Sequence, residues 1–119
     1  MLAFGEKWLG DTAVYHCQQA AEKSLKAYLA LNGSQIQKIH DLTVLLSQCE
    51  RYHAAFSQLL DACEILPPYG TLFRYPGTAL TPKKSDVEEA VQLATEVYEF
   101  TVSHMPVEVQ KEIVAGSGR

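Results

Sequence analysis

The sequence predicts an all-α protein: an up-and-down bundle of four main helices with a short extra helix at the C-terminus, built by residues 1–119 as one domain. Three observations predict it. Apolar residues return every three or four positions through residues 14–29, 42–49 and 87–101, which is the period of a helix face. Start and stop signals bracket these stretches, with Asn32 and Gly33 ending the first, Asp41 opening the second and Ser85 opening the last. A chain of 119 residues also supports a real core with no metal or disulfide to staple it.

Taken in order, residues 1–11 carry Leu2, Phe4, Trp8 and Leu9, too apolar for a free tail, and are expected to form a short helix or cap ending near Gly10. Asp11 or Thr12 then N-caps the first main helix. Set at about 100° per residue, that helix places Val14, Cys17, Ala21, Leu25, Tyr28 and Leu29 on one arc. Ala13, Ala20, Ser24, Ala27 and Leu31 occupy the adjoining arc. So wide an apolar surface exceeds the single stripe of a surface helix. The helix is therefore expected at the centre of the bundle, its large residues against one neighbour and its small ones letting another approach. Gln18 falls between Leu25 and Leu29 and is expected to hydrogen-bond across the core. The remaining strip carries Tyr15, His16, Gln19, Glu22, Lys23 and Lys26, with Glu22 and Lys26 in favourable i,i+4 order.

Residues 34–39 read as a polar connection, and Asp41 N-caps a second helix with Leu42, Leu45, Leu46 and Cys49 inward. A third helix is expected over residues 52–65, with Phe56, Leu59, Leu60 and Cys63 inward, ended by Pro67 and Pro68. Residues 66–84 then hold Pro76, Pro82, two glycines and Tyr69, Phe73 and Tyr75 without clear periodicity. A loop that long in so small a chain usually carries function or an interface. Ser85 and Glu88 match a capping box. The final long helix carries Val87, Ala90, Val91, Ala94, Val97, Tyr98 and Thr101 inward, Pro106 starts a short amphipathic tail helix, and residues 116–119 are expected to fray.

Composition sets bounds on function. With 47% hydrophobic and 20% charged residues the chain matches neither a disordered nor a membrane-spanning protein. Its uncharged runs fall short of the roughly 20 apolar residues of a membrane helix, and Glu6 and Lys7 follow Phe4 closely, unlike a signal peptide. Cys17, Cys49 and Cys63 are odd in number, lie in helical apolar patterns and lack Cys-x-x-Cys spacing. They read as reduced core cysteines of a cytoplasmic protein, with no metal site. A net charge of −4 argues against broad binding of nucleic acid, though Lys23, Lys26, Lys38, Arg74, Lys83 and Lys84 leave room for a local basic patch.

Two readings stand for each polar feature. His16, Gln19, Lys23 and Lys26 are either a solvated face held by i,i+3 and i,i+4 pairs or one wall of a site for a phosphate-bearing ligand or a partner. On the second reading, the strip meets His40 and the loop bearing Arg74 and Tyr75. Arg and Lys there suit phosphate by charge and donor geometry, and Tyr75 suits a stacked base. Asp41 caps a helix while His40 either bonds a neighbouring loop or faces a ligand at the positive helix N-terminus. Arg74 also fits a purely structural role, anchoring its loop on an acidic side chain such as Glu22. There is no nucleophile triad spacing, glycine-rich phosphate loop, zinc-ligand cluster or deaminase signature.

The run from His16 to Ala27 resembles the signature helix of HEPN (higher eukaryotes and prokaryotes nucleotide-binding) domains, His-x-Gln-Gln-Ala-x-Glu-Lys-x-Leu-Lys-Ala, at every fixed position. His40, Asp41 and Leu42 opening the next helix, and Arg74, Tyr75 and Pro76 in the long loop, agree with it in order. The resemblance spans residues 12–104, although such domains usually begin with a longer first-helix segment. It implies a helical bundle, a homodimer, and a binding module often encoded beside a minimal nucleotidyltransferase in toxin–antitoxin-like or nucleotide-handling pairs. It also implies ATP or another nucleotide as a possible ligand at His16, Gln19, Lys23, Lys26, His40, Arg74 and Tyr75. Ribonucleases of similar fold carry Arg-x(4–6)-His near the start of the last helix. None of Arg51, Arg74 and Arg119 has a His at that spacing, and Arg51 stands only two residues before His53. The expectation is therefore a non-catalytic module, the alternatives being an RNA-cleaving toxin of another design or a scaffold without ligand.

Overall fold

Thirty residues in one unbroken helix form the spine of the molecule: α1 (Leu2–Leu31), whose length of about 45 Å at 1.5 Å per residue nearly matches the longest molecular extent of 46 Å. A computed structural model describes residues 2–35, 38–72 and 83–117, and side chains over 13–35, 38–67 and 83–113. Along the described chain, α1 is followed by α2 (Leu42–Glu50), a 3₁₀ segment (Ala54–Leu59), α3 (Leu60–Leu72), α4 (Lys84–Ser103) and α5 (Val107–Ser117). No strand occurs among the described residues, and the expected all-α fold stands.

The expected break at Gly10 is absent. Glycine costs a helix interior about 1 kcal/mol, but a helix already nucleated gains a hydrogen bond with each residue it adds, so α1 carries Gly5 and Gly10 without stopping. Its C-terminus is as expected. Gly33 adopts φ +85°, its N–H donates to the Ala30 carbonyl at 3.0 Å, and the Ser34 N–H donates to the Leu29 carbonyl at 3.0 Å. These two bonds close a Schellman motif, and the left-handed residue it needs is glycine.

α1 packs on α4, α2 and α3. Val14, Ala21, Leu25, Tyr28 and Leu29 are buried on the arc predicted for them, and Cys17 is half-buried beside them. The adjoining small-residue arc is not covered: Ala20, Ala27 and Leu31 are exposed. α1 is thus the longest helix but keeps one face without a neighbour among the described residues, because α2, α3 and α4 all gather on its large-residue side. Gln18 is half-buried and makes no hydrogen bond among the described residues.

α2 forms as read, with Asp41 as its cap and Leu42, Leu45, Leu46 and Cys49 buried. The Asp41 carboxylate accepts from the Thr43 hydroxyl at 2.7 Å and the Thr43 N–H at 2.9 Å. These bonds, the hydroxyl's first, hold it below the usual carboxylate range. The third helix differs from expectation. His53, extended at φ −152°, accepts the Ala55 N–H at 3.3 Å and starts a 3₁₀ segment in which Phe56 and Leu59 are buried. α3 begins only at Leu60, which is exposed. Pro67 and Pro68 do not end α3, which runs to Leu72. Prolines in a helix interior forfeit N–H bonds at about 3 kcal/mol each, and buried Ala62, Cys63 and Leu66 seat the preceding turns firmly enough to carry the helix through.

α4 starts two residues before the expected capping box: the Lys83 N–H donates to the Asp86 carboxylate at 2.9 Å, while Glu88 lies beyond and approaches Lys84 at 3.9 Å. Ala90, Ala94, Val97 and Thr101 are buried as predicted, but Val91 is 47% exposed. Pro106 precedes α5, and its carbonyl accepts the Val109 and Gln110 N–H groups. Gly116 and Ser117, expected to fray, belong to α5.

Candidate functional site

Glu22 organises the polar cluster. It was read as part of the exposed strip, yet it is 5% exposed. Its Oε2 accepts from Lys26 Nζ at 2.9 Å and lies 2.9 Å from His40 Nδ1. Burial alone pushes the Glu22 carboxyl up, but the hydrogen bonds from His40 and Lys26, and then their charges, outweigh it and hold the carboxyl below its usual range. An ionised carboxylate only accepts, so His40 Nδ1 carries the proton and its Nε2 is left toward solvent, the side chain being 74% exposed. A buried acid on α1 thus orients an imidazole that enters from the connection before α2.

The burial of Glu22 was legible on the helical wheel. Seven residues before Leu29, it lies about 20° from that buried position, at the edge of the apolar arc rather than on the strip.

The structure brings Lys26 and His40 together on Glu22, and Lys23 lies exposed one turn before Lys26. Gln19 is half-buried on the same helix a turn earlier. His16 sits farther off, about 15 Å along α1 from Lys26 at 1.5 Å per residue. Its ring meets Tyr15 edge-on at 5.7 Å. Arg74 and Tyr75 lie outside the described residues, and with them the anchoring of Arg74 on Glu22. The partner that Glu22 has across the fold, among the described residues, is His40.

His16 instead helps line a groove of about 760 Å³ between α1, α4 and α5. Cys17 and Ala20 form its α1 wall, Val91, Ala94, Tyr98 and Val102 its α4 wall, and Ile113 closes it from α5. Sequence reasoning assigned Val91 and Tyr98 to the core and so missed the groove. The signal was present only in the extra width of the apolar arcs on both helices.

A second junction joins aromatic rings at the other side of α2. His104 stacks on Phe100 at 4.3 Å, and the His53 ring stands edge-on to His104 at 4.5 Å. His104 Nδ1 bonds the Phe100 carbonyl at 2.8 Å and His53 Nδ1 accepts the Ala55 N–H, so one nitrogen of each imidazole is engaged at the end of its own element. Among the described residues no group of three or more His, Cys, Asp or Glu side chains can hold a metal ion, and no helix is long and apolar enough to cross a membrane.

The family model of the HEPN domain matches residues 5–105. No curated protein and no solved structure matches the chain.

Proposed function

The chain belongs to the HEPN domain family, and from that premise we propose that it is a non-catalytic module that binds the phosphates of a nucleotide at the α1–α2 junction. The observation that supports this reading is the Glu22 carboxylate, which holds Lys26 and His40 in one place at 2.9 Å each. Pre-orienting donors lowers the ordering cost of binding. Lys23 adds an exposed ammonium one turn away, Gln19 an amide, and His40 an outward Nε2 that donates once protonated. His16 extends the strip toward the groove, and Arg74 and Tyr75 supply a guanidinium for phosphate and a ring for a base. The module acts as a homodimer and beside a minimal nucleotidyltransferase partner, in a toxin–antitoxin-like or nucleotide-handling pair.

Titration calorimetry with ATP tests the site. Lys23→Ala and His40→Ala should each weaken binding by about 1–3 kcal/mol, and affinity should fall as salt rises because the contacts are charged. Absence of ATP binding by the wild-type chain would remove the nucleotide reading.

One observation favours a second reading. A buried carboxylate on Nδ1 with Nε2 outward is the arrangement of a general base, so an RNA-cleaving role centred on His40 is a distinct outcome. Cleavage of RNA by the wild type, lost in His40→Ala and retained in Lys23→Ala, would establish it in place of the binding module.

A further inference from the structure

The groove between α1, α4 and α5 lies away from the Glu22 cluster, and the nucleotide reading does not use it. Its inner wall on α4 is the row Val91, Ala94, Tyr98 and Val102. Val91 is 47% exposed although it belongs to an apolar row. On the facing wall Cys17 and Ala20 are small, which opens the hollow rather than filling it.

The outer lip of the groove carries the carboxylate of Glu99, and Glu88 stands on the same row of α4 about a turn beyond the lining residues. Helical spacing of three and four residues from Glu88 passes through Gln92, Thr95, Glu99 and Ser103. Thr95, Glu99 and Ser103 line the groove. Glu99 is exposed and has no ion pair among the described residues. Glu88 is paired with Lys84 at 3.9 Å, with side chains 66% and 92% exposed. So exposed a pair leaves the carboxylate open to competition. Eleven residues separate the two carboxylates, about 16 Å along α4 or three turns. The α1 lip carries His16 and no acid beside it.

We propose that this groove is the docking site for an amphipathic helix of a partner protein, apolar on one face and bearing Lys or Arg about three turns apart along one edge. The apolar floor matches side chains at i, i+3, i+4 and i+7. Glu88 and Glu99 set which edge of the partner lies over α4, because charge across a rim fixes register and orientation. A two-fold arrangement that lays this groove against its own copy would bring two hollows and the same carboxylates together, which gives neither apolar filling nor charge complementarity.

A library of helical peptides displayed on phage, selected against the full wild-type chain, tests this. The selected peptides should combine an apolar stripe with Lys or Arg at positions about eleven apart, as the carboxylate spacing requires. Charge reversal of the lip, Glu88→Lys with Glu99→Lys, should weaken a selected peptide about tenfold and favour its Glu-substituted version. Val91→Glu, at an exposed position that leaves the core untouched, should abolish binding while circular dichroism shows an unchanged helical spectrum. Selection of peptides without the basic pair, or none, would overturn the proposal. Indifference to Val91→Glu would overturn it too. So would conversion of a dimer to a monomer by Val91→Glu, since the face would then belong to a second copy.

Discussion

At Glu22 the sign of the pH dependence follows from geometry. The unfolded carboxyl titrates near 4.5 and the folded one lower, because Lys26 and His40 bond the ionised form more than burial opposes it. The stabilisation is therefore fully present above pH 4.5 and is lost as pH falls through the folded value. Glu22→Gln should cost about 1–3 kcal/mol near neutrality, and the cost should shrink in acid, which denaturant melts at several pH values will show. The thiols make a second case. Burial first, then the neighbouring Cys63 thiol and Glu50, push Cys49 up to about 12; burial and then Glu96 do the same to Cys63. With reactivity carried by the thiolate, alkylation of the native chain at about pH 8 should mark half-buried Cys17 first. Cys49 and Cys63 should react only on unfolding, as peptide mass mapping will reveal. Labelling of all three at equal rates would mean the core opens readily.

At the scale of the helices, α1 and α4 respond in opposite senses to small changes at their shared interface. Leu25 is fully buried on α1 at the centre of the apolar cluster. Truncating it opens a cavity that rigid neighbours do not refill, so Leu25→Ala should cost about 2–5 kcal/mol. A loss below about half a kilocalorie in denaturant titration would take Leu25 out of the core. On α4, Thr101 occupies the same kind of position, 0% exposed, yet its hydroxyl has no hydrogen-bond partner among the described residues. Removing a buried hydroxyl that bonds nothing relieves a desolvation cost of about 1–3 kcal/mol. Thr101→Val keeps the branched shape, so it should be neutral or raise the melting temperature. Marked destabilisation would show that the hydroxyl makes a bond in solution.

For the whole molecule, the open question of assembly reduces to uncovered apolar surface. Leu31 is 47% and Val107 60% exposed, and α1 keeps one face without a neighbour among the described residues. Scattered apolar residues are normal on a surface, but contiguous ones mark interfaces. The homodimer is accordingly expected in sedimentation at micromolar concentration, and Leu31→Glu should shift it toward monomer if α1 supplies the contact. A wild-type chain that sediments as a monomer throughout that range rules the homodimer out. The basic-helix groove would stand apart from that result, because its occupant is a different chain.

What the sequence determined by itself was everything governed by local physics. The Asn32 and Gly33 stop, the Asp41 cap and the buried set of α2 depend on neighbours within a turn or two, and they formed as read. The HEPN signature from His16 to Ala27 was equally legible and its family is established. Tertiary structure decided what local rules leave open. Gly10, Pro67 and Pro68 each argue for a break, yet α1 and α3 run through them, because cooperative hydrogen bonding and the packing of adjoining turns outweigh a local penalty of about 1–3 kcal/mol. Whether an apolar arc becomes core or groove depends on which helix lies opposite. Val91 and Ala20 are apolar in either case, and only the spacing of α1, α4 and α5 left them open. The same holds for Glu22: its neighbours on the wheel foretell burial and Lys26 one turn on is a local partner, but the approach of His40 from a different element, which completes the compensation of the buried charge, is tertiary.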